Sequence, residues 1–69
     1  MTILFKEAGE QTRVSVRTRP NGVDATVLTG RFGGGGHARA AGATVELPLA
    51  DAQAPVVAEA TRLVAALGA

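Results

Sequence analysis

The sequence GGGGHARAAG, residues 33–42, joins four consecutive glycines to an imidazole and a guanidinium. Glycine loses more backbone freedom on folding than any other residue, so an ordered run of four is costly. Such a run is kept where the backbone must pass close to another group or adopt a positive φ. Open N–H groups beside His37 and Arg39, on a segment of small residues that can start a helix, favour an anion site, above all one for phosphate.

Standard nucleotide-binding patterns do not fit this stretch. A Walker loop needs Lys and then Ser or Thr after its last glycine, but here His37 follows Gly36. The spacing Gly33-x-Gly35-x-x-Ala38 formally fits the relaxed dinucleotide fingerprint. That fingerprint follows a strand, whereas this segment follows a predicted helix in a chain too short for paired βαβ units. A flexible linker is disfavoured as well, because linkers are usually rich in serine and join domains.

The length and composition indicate one small domain. The chain has 69 residues and no cysteine, which excludes disulfides and thiolate metal sites. We therefore treat residues 1–69 as a single domain. No stretch approaches the length of a membrane span, and the first residues lack the pattern of a signal peptide. We expect a cytoplasmic protein without a membrane partner.

Positive charge is concentrated around the glycine run. Between Arg13 and Arg39 there are five arginines and one aspartate, a net charge of +4, whereas the rest of the chain carries −3. Arginine suits bidentate recognition of phosphate or carboxylate. Three of these arginines share one face of a predicted strand, where like charges repel one another unless an anion joins them.

Two N-terminal segments have strand patterns. Residues 2–6 predict a short strand, which the turn-prone Ala8-Gly9-Glu10 ends. Residues 13–19 alternate with period two, placing the arginines and Ser15 on one face and the valines on the other. This pattern predicts a half-buried strand with a cationic outer face, followed by a turn at Pro20-Asn21-Gly22.

The remaining sequence predicts two main helices, a helical turn and one strand. Asp24 is a good N-cap for a helix over residues 25–32, and Gly33 suits the left-handed position after its end. We expect a short helical turn over 37–41 and a strand over 43–47. A last helix should begin between Asp51 and Pro55 and end near Leu67. The buried sides are expected to comprise Val27, Leu28 and Phe32 in the first helix, and Val56, Ala60, Leu63, Val64 and Leu67 in the last.

These elements predict an α/β (α+β) fold class. The expected architecture is a small mixed β-sheet of about three strands packed by two main helices, in the order β-β-α-(short α)-β-α. The ionisable groups near the glycine run are basic, and the sequence shows no carboxylate pair, Ser-His-Asp set or Asp/His cluster for two metals. We therefore expect a binding domain with no catalytic residue and no cofactor of its own.

Residues 33–42 closely resemble the Gly-Gly-Gly-His signature of the DHH-associated (DHHA) domain. This domain is the C-terminal partner in DHH phosphoesterases related to RecJ, particularly the oligoribonuclease and pAp-phosphatase (nano-RNase) branch. Ser15-Val16-Arg17-Thr18 resembles the family's Ser-x-Arg-Ser strand motif, with Thr18 in place of serine. The strand Leu4–Glu7 and the helix that Asp24 opens also agree, so the resemblance covers residues 3–67.

The resemblance implies a division of labour between two domains. A separate N-terminal DHH domain would carry Asp and His ligands for two divalent metals, usually Mn²⁺, and would perform the hydrolysis. The DHHA domain would hold the substrate, a short RNA or other oligonucleotide or a nucleotide bisphosphate, across the cleft. By motif matching, the substrate phosphate would contact Gly33, Gly34, Gly35, Gly36, His37 and Arg17, to which Ser15 and Arg39 are added.

No Asp-His-His string occurs in the sequence, so we expect residues 1–69 to be an excised C-terminal fragment of a two-domain enzyme. Two alternatives stay open. The first is an RNA-binding module similar to the C-terminal domain of alanyl-tRNA synthetase, which the His-x-x-Ala-Ala-Gly continuation disfavours. The second is an interaction domain that forms a homodimer through the alanine-rich last helix.

Overall fold

Residues 1–68, which a computed structural model describes, form a four-stranded antiparallel sheet covered on one face by two helices. The elements are β1 Thr2–Ala8, β2 Gln11–Arg17, α1 Ala25–Gly30, β3 Gly35–His37, β4 Ala40–Val45 and α2 Leu49–Gly68. The strand order is β1-β2-β4-β3. The predicted α+β class is confirmed. The sheet has one strand more than expected, and its three described pairings are all antiparallel instead of mixed.

The helical turn predicted over residues 37–41 is wrong, because this segment is the hairpin of β3 and β4. The strand predicted over 43–47 therefore begins three residues earlier, at Ala40. Helix propensity favours a segment of small residues by less than about 0.7 kcal/mol per residue. Pairing outweighs that preference here, since β4 is bonded to β2 on one side and to β3 on the other.

The core lies between the helices and one face of the sheet. Along β2, Thr12, Val14 and Val16 are buried, and the residues between them are exposed. This confirms the predicted alternation, although the strand ends at Arg17 and not at Arg19. The buried hydrophobic cluster consists of Val14, Val16, Ala25, Leu28, Val45, Ala52, Val56 and Ala60. The opposite face of the sheet is left to solvent.

Helix α1 begins at Ala25 as the sequence predicts, but it ends at Gly30, two residues before the predicted end at Phe32. Asp24 is its N-cap, accepting a hydrogen bond from the Thr26 backbone N–H at 2.9 Å. At the other end, the Gly34 N–H donates to the Thr29 carbonyl at 2.8 Å, and Gly33 has a φ of 77°. This is the arrangement of a Schellman motif. The predicted burial of Val27 is wrong, because the side chain is 41% exposed.

Helix α2 begins at Leu49, ahead of the predicted range, because the N–H groups of Asp51 and Ala52 both donate to the Pro48 carbonyl. The predicted burial of Val64 and Leu67 is also wrong, since they are 49% and 58% exposed. A helix of this length spans about 30 Å, whereas a seven-residue strand spans about 23 Å. The last turns of α2 therefore extend beyond the strands.

Exposed apolar side chains lie along α2 from Val57 to Leu67. Val57 and Val64 border a shallow depression of about 450 Å³ that Met1 and Ile3 also line. The homodimer through α2 stays a prediction, which light scattering would test. None of the helices within residues 1–68 combines the length and the apolar character that crossing a membrane requires.

Candidate functional site

The solvent-facing side of the sheet carries a shallow groove of about 330 Å³. Strand β2 contributes Arg13, Ser15 and Arg17 to it, and the β3–β4 hairpin contributes backbone and small side chains. The lining residues of the hairpin are Gly35, Gly36, Ala40, Ala41 and Gly42. Because the helices cover the other face, the groove is open to a ligand or to another domain.

The register of the strands arranges this outer face in three rows, since directly paired residues share a face. The row that we call the Arg17 row consists of Thr2, Arg17, Ala40 and His37. The floor row consists of Leu4, Ser15, Gly42 and Gly35. The Arg13 row consists of Lys6, Arg13 and Thr44. The groove thus has a floor of mostly small residues between two rows that carry cations.

Arg17 and His37 are brought together although twenty positions separate them in the sequence. Both flank Ala40, one on β2 and the other on β3, so that their backbones are about 10 Å apart. Both residues are exposed. The ion pairs within residues 1–68 join Arg31 and Arg62 to Glu59, and neither Arg17 nor His37 takes part in them. Their charge or donor capacity is therefore free for an anion.

Glycine stands at positions 33–36 for a different structural reason at each position. Gly33 has a φ of 77° and ends α1, and Gly36 has a φ of 140°. A Cβ on Gly34 would lie 2.1 Å from the Gly42 carbonyl oxygen, a distance that the backbone cannot relieve. Gly35 differs from all three: its φ is unexceptional, and a Cβ there would meet nothing within 4 Å. The fold does not require glycine at this position, which lies on the groove floor.

Four of the residues assigned to the site are not among those that line the groove: Gly33, Gly34, His37 and Arg39. His37 ends β3 beside Ala40, at the margin of the groove. Gly33 and Gly34 connect α1 to β3 and do not line the groove. Arg39 lies in the turn between β3 and β4, where its guanidinium donates to the Arg19 carbonyl. The same turn is held by the Thr18 hydroxyl, which donates to the Ala38 carbonyl at 3.0 Å. These residues position the hairpin rather than line the groove.

Arg13 and Gly42 line the groove but were not among the predicted site residues, and Leu4 lies next to the groove in the floor row. Arg13 Nη1 donates to Thr44 Oγ1 at 2.8 Å, and Leu4 is 63% exposed beside Ser15. The alternation of β2 already placed Arg13 beside Ser15 and Arg17, and that signal was sufficient to include it. Gly42 was missed because its segment was predicted to end a helical turn instead of continuing a strand.

The donors around the groove suit anions and not a divalent cation. They are guanidinium, ammonium, imidazole and hydroxyl groups, whereas Mn²⁺ and similar ions prefer carboxylate, carbonyl and water oxygens. Within residues 1–68 no three His, Cys, Asp or Glu side chains are grouped so that they could hold a metal ion.

The family model of the DHHA1 domain matches residues 1–66. That range includes all four strands, α1 and most of α2, and therefore the whole groove. No curated protein matches the chain.

Proposed function

Because the chain belongs to the DHHA1 domain family, we propose that it is the substrate-binding domain of a RecJ-like phosphoesterase of the oligoribonuclease and pAp-phosphatase type. DHHA1 domains are associated with DHH-family phosphoesterases and typically pair with a DHH catalytic domain. The substrate would be a short RNA or other oligonucleotide, or a nucleotide bisphosphate. Mn²⁺ would be bound by the catalytic domain and not by this chain.

The observation that carries this proposal is the placement of Arg17 and His37 around a floor without large polar side chains. The Arg17 guanidinium can donate two parallel hydrogen bonds to a phosphate, and an imidazole N–H of His37 can donate a third. The Ser15 hydroxyl lies in the neighbouring row. β3 is an edge strand, so alternate N–H groups along it point away from β4 and are open to a ligand.

These residues bind and orient; they do not activate water. When a phosphate is held at a fixed distance from the partner domain, its translational and rotational freedom is already lost on binding, so reaching the reacting geometry costs less entropy. The cations also offset the charge of the bound phosphates before the two domains meet around them. The domain would therefore act as a clamp that presents the substrate to the metals of the catalytic domain.

A titration of the purified chain with the 5′-phosphorylated dinucleotide pApA, followed by NMR, tests the proposal. Arg17→Gln should weaken binding by about tenfold or more, the loss expected for a charged hydrogen bond of about 1.5–3 kcal/mol. Arg62→Gln removes the same charge from α2, on the other side of the sheet, and should leave the affinity unchanged. Equal affinities for the wild type, Arg17→Gln and His37→Ala would contradict the proposal that the groove binds the substrate phosphate.

Two further measurements separate the alternatives. The purified chain should hydrolyse pApA neither with nor without Mn²⁺, and metal-dependent turnover would refute the division of labour. The coding sequence upstream of residue 1 should contain a DHH metal motif. A synthetase body in that position would instead favour the module of the alanyl-tRNA synthetase type.

A further inference from the structure

We propose that Thr18 and Arg39 are positioning residues of the phosphate site, because together they clasp the end of β2 to the β3–β4 turn and so keep His37 beside Arg17. This inference rests on the proposed function of the groove and deepens it. Neither side chain would touch the ligand, and both would act through His37. Arg39 would therefore serve phosphate binding without contacting the phosphate.

The first observation is that the residues after Arg17 are bonded to the residues after His37. The Thr18 N–H donates to the Arg39 carbonyl at 3.1 Å, and the Thr18 hydroxyl donates to the Ala38 carbonyl at 3.0 Å. In the opposite direction, the Arg39 guanidinium donates to the Arg19 carbonyl. β2 ends at Arg17 and β3 ends at His37, so this clasp lies immediately beyond both strands.

The second observation is that β3 needs such a link to stay in place. It has three residues, two of them glycines, and it lies at the edge of the sheet. Glycine leaves the backbone free to move, and β4 separates β3 from the strand that carries Arg17. The register of the strands places His37 in the Arg17 row, and the clasp joins that end of β3 directly to the end of β2.

The third observation is a difference in exposure between the two pairs of residues. Arg17 and His37 are exposed, whereas Thr18 and Arg39 are partly buried and do not line the groove. The Ala38 carbonyl also accepts a hydrogen bond from the Ala25 N–H at 2.8 Å, which ties the turn to the start of α1. The turn therefore stays attached to the domain when the Thr18 hydroxyl is removed, and a variant at this position should fold.

Titrations with adenosine 5′-monophosphate (AMP), followed by NMR, test the clasp in two backgrounds, the wild type and His37→Ala. Thr18→Val removes the hydroxyl and keeps the backbone N–H. It should weaken AMP binding about three- to tenfold in the wild type and less than about twofold in His37→Ala, because residues that act through one another are not additive. Arg39→Ala should follow the same pattern.

Two variants serve as controls. Thr18→Ser keeps a hydroxyl at the same position and should bind AMP as the wild type does. Thr61→Val deletes a hydroxyl that donates to the Val57 carbonyl at 2.8 Å within α2, on the other side of the sheet. It should leave the AMP affinity unchanged.

The outcomes separate this inference from the proposed function. Equal weakening by Thr18→Val or Arg39→Ala in both backgrounds would show an effect that does not pass through His37, and it would overturn the positioning role only. Unchanged AMP affinity in Thr18→Val, a loss in Thr18→Ser, or unfolding of Thr18→Val in a thermal melt would overturn it as well. If the wild type bound no AMP, both this inference and the proposed function would fail.

Discussion

Replacing Gly35 with alanine should separate the binding function of the glycine run from its role in the fold. A Cβ at this position meets no atom within 4 Å, and the φ of Gly35 is one that alanine adopts without strain. Alanine also restricts the unfolded chain, so Gly35→Ala should stabilise the domain by about 0.4–1 kcal/mol. For a domain of this size that gain raises Tm by roughly 2–8 °C.

The same methyl group should weaken ligand binding, because it stands on the floor of the groove. It would hold ligand atoms at carbon contact distances of about 3.5–4.0 Å, beyond the 2.7–3.2 Å or so of a backbone hydrogen bond. Losing one hydrogen bond to a charged phosphate costs about 1.5–3 kcal/mol. The Kd for AMP should therefore rise roughly 10- to 150-fold in a protein that is more stable than the wild type.

Thermal melting and NMR titration with AMP measure both effects on the same sample. Gly30→Ala is a matched control: a Cβ there also meets nothing within 4 Å, but Gly30 lies in α1, on the other face of the sheet. It should melt no lower than the wild type and bind AMP equally well. Gly34→Ala should unfold the domain or lower Tm sharply, because its Cβ would overlap the Gly42 carbonyl and Ala43. Unchanged AMP affinity in Gly35→Ala would refute ligand contact with the floor, and a large drop in its Tm would refute the steric reasoning.

Three predictions concern stability. Thr29 is fully buried, and its hydroxyl has no hydrogen-bond partner among residues 1–68. Thr29→Val should therefore raise the free energy of unfolding by about 1 kcal/mol, seen as a higher urea midpoint at unchanged m, and a lower midpoint would contradict the absence of a partner. Leu28→Ala should lower the free energy of unfolding, measured with urea, by about 2–5 kcal/mol, because Leu28 is only 1% exposed. A decrease of less than about 1 kcal/mol would contradict its place in the core. The pKa of Asp24 lies below its ordinary value because the Thr26 hydroxyl and the Thr26 N–H donate to its carboxylate. The stabilisation of the fold by the ionised Asp24 carboxylate is therefore complete above about pH 4, and it is lost as the pH falls through the lowered pKa. The Tm advantage over Asp24→Ala, measured from pH 7 to pH 2, should shrink accordingly, and a constant difference would exclude the carboxylate as its source.

Local patterns in the sequence were sufficient for the alternation along β2, for the start of α1 and for the left-handed glycine after that helix. The alternation of Val14 and Val16 with arginines is a strand signal that needs no knowledge of the partner strand. The Asp24 cap and the left-handed Gly33 are likewise set by bonds within a few residues. What these signals leave open is which strands become neighbours, because that depends on pairing between distant parts of the chain.

The β3–β4 hairpin shows where local reasoning fails. Residues 33–42, which include β3 and the first half of β4, contain no β-branched or aromatic residue, and most of them are small. Nothing in that stretch indicates a strand until β2 is available to pair with β4. The burial of Val64 and Leu67 failed for a related reason: helical periodicity identifies an apolar face, but not how far the surface that covers it extends.

The placement of His37 follows from the same backbone constraints that made the glycine run conspicuous. Gly33 turns the chain out of α1, and Gly34 brings it against β4 at a distance that admits no side chain. From there the register is fixed, and the third residue of β3 must lie beside Ala40, in the row of Arg17. A side chain at position 34 would displace β3 from β4, which would separate the imidazole from the guanidinium even if both residues were retained. Under the proposed function, the glycines would therefore contribute to phosphate recognition in two ways: Gly35 by leaving the floor open, and the others by determining where His37 lies.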